Sequence, residues 1–315
     1  MSSVIHATSG AAAGVVAMTL TYPLIFLSTR AAVQTRQVNK SLYDVVVHII
    51  KTEGITGLYT GLNSSLMGVG ITNGFYYYFY EQTREGLLKR RPKGASQALT
   101  TLESMLTGLV AGSATTILCN PIWVVQTTQA VQTVQDLSSS GHSQPSRVTT
   151  KMGIIETISH IIRKGGIGAL WRGIGPALVL VINPIIQYTI FEQLKNWLTV
   201  RRSAKLGIPK AVAILTDLDY FILGALSKLI ATSVTYPYIV IKSRLQSGHE
   251  SALRYKSSLD GMLTVLKEEG ISGLYKGIGS KLVQSVLTAA ILFAGQKRIY
   301  ELTQAAMAQL AAVKA

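Results

Sequence analysis

The sequence predicts an all-α membrane protein of six transmembrane helices. They form three pseudo-symmetric repeats of two spans, with a short amphipathic helix between the spans of each repeat. Three observations lead there. Only 14% of the 315 residues are charged, against about 25% in a soluble domain, and the mean hydropathy is +0.33. Long stretches of chain carry no charge at all. Three prolines then recur in similar settings about 100 residues apart, at Pro23, Pro121 and Pro237.

The charge-free stretches give the spans in order. No Asp, Glu, Lys or Arg occurs over 1–29, 54–80, 104–135 or 173–191. Two further apolar stretches cover 220–241, broken only by Lys228, and 282–296 between Lys281 and Lys297. A spanning helix needs about 20 mostly apolar residues, so six is the natural count. The first segment lacks a basic leader region and contains Pro23, so it reads as a span rather than a cleaved signal peptide.

Composition also excludes classes. The formal net charge is +15, from 30 Lys+Arg and 15 Asp+Glu. That excess on so few charges argues against a nucleic-acid partner, and the apolarity argues against disorder. A single cysteine, Cys119, rules out an intrachain disulfide framework and a CxxC site. The five histidines are dispersed, with no HExxH, GxSxG or P-loop arrangement, so no enzyme, metal or cofactor is implied.

The repeat extends well beyond the prolines. They sit in Thr21-Tyr22-Pro23, Cys119-Asn120-Pro121 and Thr235-Tyr236-Pro237. Glycines precede them at Gly10 and Gly14, Gly108 and Gly112, and Gly224; small residues four apart allow close helix approach. After each proline helix comes a polar link, then an amphipathic stretch. In the first unit this runs from Leu42 to Lys51, with apolar residues at helical spacing. It stops at Glu53-Gly54, and the counterparts are Lys164-Gly165 and Glu269-Gly270. Gly57-Leu58-Tyr59-Thr60-Gly61, Ala169-Leu170-Trp171-Arg172-Gly173 and Gly273-Leu274-Tyr275-Lys276-Gly277 lead into the even spans. These spans end in Tyr80-Glu81-Gln82-Thr83-Arg84, Phe191-Glu192-Gln193-Leu194-Lys195 and Gln296-Lys297-Arg298-Ile299-Tyr300. The repeats are placed at 4–91, 99–200 and 215–305.

This threefold pattern resembles the mitochondrial carrier family, over roughly residues 4–302. The resemblance implies a monomeric six-helix bundle around a central cavity, both termini on the cytosolic side, and alternating access between two gates. The family's odd helices usually read Pro-x-acid-x-x-base, which allows ion pairs to close the matrix side. Here the acid position carries Ile25, Trp123 and Ile239, and the base position Ser28, Gln126 and Lys242. A ring of ion pairs is therefore not expected. Ile25, Trp123 and Ile239 either form a hydrophobic constriction or pack on neighbouring helices. At the cytosolic gate Glu81 with Arg84, and Glu192 with Lys195, match the family motif. Glu81 with Lys195 is the cross-helix pair it would preserve. Lys297 and Tyr300 break the third copy.

The cavity is expected to be positive. Lys228 and Lys281 lie in or beside spans, Lys242 sits at the lower gate, and Arg30 and Arg244 lie two residues beyond the base positions. Intramembrane charges are costly and normally face a water-filled path, although Lys228 or Lys281 can instead snorkel to the interface. Arg and Lys suit phosphates. The family's substrate level falls on Gly68, on Val179 or Leu180, and on Gln284. Gly68 and Gly70 leave room for a planar group. Asn73 and Asn183 are placed to hydrogen-bond a base, and Tyr77 and Tyr78 either stack a purine or belong to an interfacial aromatic belt. Loop charges at Lys89–Lys93 and Arg201–Lys210 are expected to meet anionic lipid.

Within the family the chain is most similar to the peroxisomal branch, through Thr235–Gln246, Ser227-Lys228-Leu229, Asn120–Trp123 and Lys281–Gln284. That similarity implies exchange of ATP against AMP or ADP across the peroxisomal membrane, supplying fatty-acid activation before β-oxidation. CoA, NAD and FAD share the adenosine-phosphate portion and stay open as substrates. So do the mitochondrial inner membrane as location and a non-transporting adaptor on a carrier fold.

Overall fold

The computed structural model describes residues 2–33, 46–47, 49–51, 54–91, 98–138, 153–206, 215–248, 255 and 257–291, and every regular element among them is helical. The helices are α1 (Ser2–Val33), α2 (Leu62–Lys89), α3 (Thr101–Ser138), α4 (Ile154–Gly165), α5 (Ile174–Val179), α6 (Asn183–Leu206), α7 (Asp217–Ser247) and α8 (Ser258–Leu274), followed by α9 (Ile278–Ile291). Stretches Gly14–Val33, Thr101–Val131, Ile167–Lys205 and Asp217–Ser247 are long and apolar enough to cross a membrane. At 28 residues α2 matches them in length, but Asn63, Asn73 and four tyrosines make it more polar. Residues beyond 291, including Lys297 and Tyr300, lie outside the described residues. The chain divides into two compact units: a larger one of Phe26–Ile186 and Ser233–Ile278, and a smaller one of Met1–Ile25, Gln187–Thr232 and Gly279–Ala315.

Two odd helices start in the same way. At α3, Thr100 and Glu103 form a reciprocal capping box: the Thr100 amide donates to the carboxylate (2.8 Å) and the Glu103 amide to the Thr100 hydroxyl (3.3 Å). At α7, Thr216 and Asp219 do the same (2.7 and 3.3 Å). Each boxed acid also takes an arginine from the end of the preceding even helix, Arg91 on Glu103 and Arg202 on Asp219. Lys89 pairs with Glu85 on its own helix at 3.1 Å. Part of the basic charge assigned to lipid contact is thus already matched by carboxylates.

Pro23, Pro121 and Pro237 lie inside continuous helices. In the larger unit the amphipathic helices pack just beyond the second and third prolines. Ile154, Ile158 and Ile161 of α4 bury against Val124 and Val125 of α3. Met262 and Val265 of α8 bury against Ile241 and Leu245 of α7. Glu156 in the first turn of α4 and Arg163 and Lys164 in its last complement the helix dipole. Of the counterpart expected over 42–51, residues 46, 47 and 49–51 are described and helical, with Ile49 buried.

The threefold repeat is written in backbone dihedrals. Glycines with positive φ fall in pairs seven residues apart: Gly54 (69°) and Gly61 (87°), Gly166 (70°) and Gly173 (74°), Gly270 (71°) and Gly277 (81°). This corrects the register of the second repeat. Gly166, not Gly165, is the stop glycine, and Gly165 holds the place of Glu269. The second glycine of each of the latter two pairs touches the backbone of another odd helix. A Cβ on Gly173 would lie 3.1 Å from the Lys242 carbonyl, and one on Gly277 would lie 2.8 Å from the Ser28 carbonyl. The residue before the proline anchors its own repeat. Asn120 donates to the carbonyls of Leu170 (3.0 Å) and Arg172 (3.2 Å), and Tyr236 donates to that of Lys276 (2.9 Å). Arg172 and Lys276 each precede the helix-opening glycine.

Arg244 of α7 is 1% exposed. Its two terminal nitrogens bind the Glu269 carboxylate, the longer bond 2.9 Å, and its Nε donates to the Ala32 carbonyl of α1 at 3.0 Å. Lys276 reaches the same carboxylate at 3.0 Å. Burial alone would raise the Glu269 pKa, but the hydrogen bonds and charge of Arg244, then those of Lys276, hold it below the ordinary carboxylate range.

Glu269→Gln leaves the Arg244 charge buried without its counter-ion, at a cost of about 3–5 kcal/mol. The melting midpoint in detergent falls by several degrees in the variant; an unchanged midpoint contradicts this account. Because the folded pKa is depressed, the Glu269 contribution is complete above the unfolded value of about 4.3 and is lost as pH falls through the lower folded value. Acid titrations of wild type and variant therefore converge only below the depressed folded pKa of Glu269.

Candidate functional site

In the smaller unit three candidate residues fall in or beside α7 and α9. Gln284 is 8% exposed. Its amide nitrogen donates to the Thr288 hydroxyl (2.9 Å), which donates to the Thr21 hydroxyl of α1 (3.2 Å). Its Oε1 is buried and accepts from no donor among the described residues. Lys281, one turn earlier, and Lys228 are half-buried, as are Pro23 and Ile25 on α1. Gln284 thus offers an open acceptor inside an apolar helix with a lysine one turn away.

In the larger unit α2 packs along α3 through a stripe that includes Ser64, Gly68 and Tyr76. The Ser64 hydroxyl donates to Gln129, and a Cβ on Gly108 would lie 3.4 Å from the Tyr76 hydroxyl. Gly68 is buried in this stripe. A Cβ there would lie 3.2 Å from Ile122 and 3.7 Å from the Trp123 ring. The space expected at Gly68 for a substrate is therefore filled by α3. The open face of α2 instead carries Gly70, Asn73, Tyr77 and Glu81, and Tyr77 is 68% exposed. Tyr188, 43% exposed, stands four residues before Glu192 just as Tyr77 stands before Glu81. That correspondence is legible by aligning the repeats on their acids.

The predicted substrate level of the second repeat coincides with a break in the helix. Residues Leu180–Ile182 form a 3-10 turn between α5 and α6. Pro184 lacks an N–H for the Leu180 carbonyl, which the Asn183 amide takes instead. Gly112 makes room for this turn, since a Cβ there would lie 2.6 Å from Val181 Cγ1. Val179 is exposed and Leu180 half-buried. The Asn183 amide nitrogen donates to the Thr235 hydroxyl of α7 at 2.7 Å. Its side chain, assigned to a base, is already engaged in joining two helices. A Cβ on Gly14 or Gly224 would have no neighbour within 4 Å, so among the described glycines of these pairs it is Gly108 and Gly112 that allow close approach.

The lower-gate residues are mostly in packing contacts. Trp123 lies over Gly68, and Ile239 packs on the cluster of Ala32, Tyr236 and Val240. Pro121 and Pro237 are half-buried, as is Lys242, while Gln126 and Arg30 are buried. Arg30 lies over the Phe26 ring at 4.6 Å. Arg244, grouped with the unbalanced bases from sequence, has its charge matched by Glu269. The upper-gate charges are also satisfied locally: Glu81 binds Arg84 (3.1 Å) and Glu192 binds Lys195 (2.8 Å), each three residues on. The expected cross-helix pair of Glu81 with Lys195 would join residues of the two units, each of which is described by itself.

Asn183→Ala removes a partly buried hydrogen bond and costs about 1 kcal/mol, read as a lower melting midpoint. Tyr77→Ala removes a ring with little packing and stays within about 0.5 kcal/mol of wild type. The reverse ranking in thermal melts would contradict these placements.

Comparison with known proteins identifies a family. The profile of the mitochondrial carrier protein family matches residues 1–91, 97–202 and 215–308. The chain is 34% identical to a peroxisomal nicotinamide adenine dinucleotide carrier of Arabidopsis thaliana, covering 92% of this chain and 93% of that one. It is 35% identical to peroxisomal membrane protein PMP34 of Mus musculus, covering 92% and 90%. It is 32% identical to peroxisomal adenine nucleotide transporter 1 of Saccharomyces cerevisiae, covering 81% and 74%. Three matched repeats and relatives aligned over most of their length lead to one conclusion: this chain belongs to the mitochondrial carrier family.

Proposed function

We propose that the protein is a solute carrier that exchanges adenine nucleotides, ATP against AMP or ADP, across the peroxisomal membrane. The observation that carries this reading is the placement of Lys228 and Lys281 in or beside apolar helices, with the open Gln284 acceptor one turn from Lys281. Lysines suit phosphate oxygens, and a buried acceptor suits an amino group such as that of adenine. The relatives support the substrate class and the membrane: one is named for adenine nucleotide, one for nicotinamide adenine dinucleotide, and all three for the peroxisome. The NAD-named relative favours NAD as the second reading, and CoA and FAD share the same adenosine-phosphate portion. On this reading the protein is a transporter rather than an enzyme, and acts as a monomer surrounded by lipid.

The deciding experiment is counter-exchange in liposomes preloaded with ATP, AMP, NAD, CoA or FAD. External ATP should release internal AMP and ATP. Exchange of NAD alone moves the assignment to the second reading. Folded protein that exchanges none of the five leaves the adaptor reading in its place. Lys281→Gln should lower exchange at least tenfold if the ammonium binds phosphate, whereas unchanged kinetics put Lys281 at the lipid interface. Imaging a tagged chain decides between peroxisome and mitochondrion.

A further inference from the structure

The open face of α6 changes character over its last three turns. Asn196, Trp197, Val200, Arg201, Ala204 and Lys205 are all exposed, at the three- and four-residue spacing of one helix face. Trp197 is 53% and Val200 43% exposed. The Arg201 guanidinium lies over the Trp197 ring, 4.5 Å from its centroid. Lys205 follows one turn later, in the last turn of the helix. The face thus presents an indole, then two cations, and no acid.

The neighbouring acids are engaged elsewhere. Glu192 binds Lys195, and both carboxylate oxygens of Asp219 accept from Arg202 at 2.7 Å. Among the described residues Asp217, in the first turn of α7, pairs with neither Arg201 nor Lys205. With Glu81 and Glu192 as equivalent positions, Arg90 corresponds to Arg201 and Arg91 to Arg202. Gly86 then stands in place of Trp197, and Glu85 in place of Asn196. The first repeat keeps the cation, lacks the ring and matches its Lys89 with Glu85.

Chemistry and position select the same occupant. An indole favours the boundary between hydrocarbon and water, and the apolar segment Ile167–Lys205 ends on this face. At 1.5 Å per residue, Arg201 and Lys205 stand about 6 and about 12 Å beyond the ring level. The headgroup layer is about 5–7 Å deep on each side of the hydrocarbon, so Arg201 falls at the phosphate level and Lys205 at its aqueous edge. A guanidinium stacked on a ring keeps its N–H edge for a phosphate. A free phosphate would gain nothing from Trp197 and Val200 beneath the cations.

We propose that Trp197, Arg201 and Lys205 form a binding site for the phosphate of an anionic phospholipid, absent from the first repeat, that fixes the depth of α6 in the bilayer. The site shares no residue with the proposed substrate path and does not depend on which solute is carried.

The test uses the full chain in phosphatidylcholine vesicles with one-fifth of the lipid brominated on its acyl chains. The Trp197 signal is the emission of each protein less that of its Trp197→Phe counterpart. Brominated phosphatidylserine should quench this signal at least twice as strongly as brominated phosphatidylcholine. Arg201→Gln combined with Lys205→Gln should make the two lipids equal at an unchanged thermal midpoint, whereas Arg90→Gln should leave the preference intact. Millimolar inorganic phosphate or ATP, added at constant ionic strength, should not reduce it. Equal quenching in the wild type, or a preference that survives the double substitution, overturns the site. Loss of the preference on adding phosphate assigns the cations to a free anion and overturns the lipid assignment. No transport is measured, so failure of the exchange assay and failure of this site are told apart.

Discussion

The guanidinium of Arg244 meets the carboxylate of Glu269 out of reach of water, and this pair connects three parts of the larger unit. Its remaining N–H reaches the Ala32 carbonyl of α1, its carboxylate partner lies on α8, and Lys276 extends the pair to the start of α9. Burying two charges costs several kcal/mol per ion, and good geometry roughly offsets that cost. The pair therefore contributes little net stability. What it fixes is the register of α7 on α8, because a slip there strands a charge, while the bond to Ala32 ties α7 to α1.

Around this pair the threefold design is kept by the backbone and relaxed by the side chains. Glycines at positive φ recur seven apart in all three repeats, since other residues adopt that conformation only with strain, and at Gly173 and Gly277 a neighbouring carbonyl also crowds any Cβ. The residue before the proline varies from Asn120 to Tyr236, yet both donate to the carbonyl just before the helix-opening glycine. The ion pair is not carried into the second repeat. In the second repeat Thr128 and Gly165 stand where Arg244 and Glu269 stand in the third, so base and acid are absent together. An isolated buried arginine or glutamate there would be a larger defect than the loss of both.

The charges that dominate the composition are distributed by the same economy of buried charge. Arg91, Arg202 and Arg244 each meet a carboxylate, and Arg84 and Lys195 are satisfied within their own helices. Lys228, Lys242 and Lys281 lie half-buried in or beside apolar helical segments, which are the positions that the proposed anion path uses.

Hydrophobic gaps, recurrent prolines and paired glycines made the helices, the repeat and the family legible in the sequence. Each depends on residue type and local spacing, and a helix or a positive-φ turn is decided within a few residues. The roles of single side chains were less legible. Gly68 carries no sign that Trp123 fills the space above it, and Asn183 none that Thr235 accepts its hydrogen bond. Glu81 and Lys195 each meet a partner three residues away on their own helix, a contact that the spacing on a single helix allows. The Thr100 and Thr216 capping boxes are local and have a sequence signature, a threonine three residues before an acid. Gln246 could not be assigned at all, because its partners Asn120 and Thr127 lie more than a hundred residues away. By itself the sequence determined the helices, their threefold order and the scarcity of buried acid, all local or additive properties. Tertiary structure alone decided which polar groups meet, because a hydrogen bond tolerates errors of only a few tenths of an ångström, and only packing sets distances that finely.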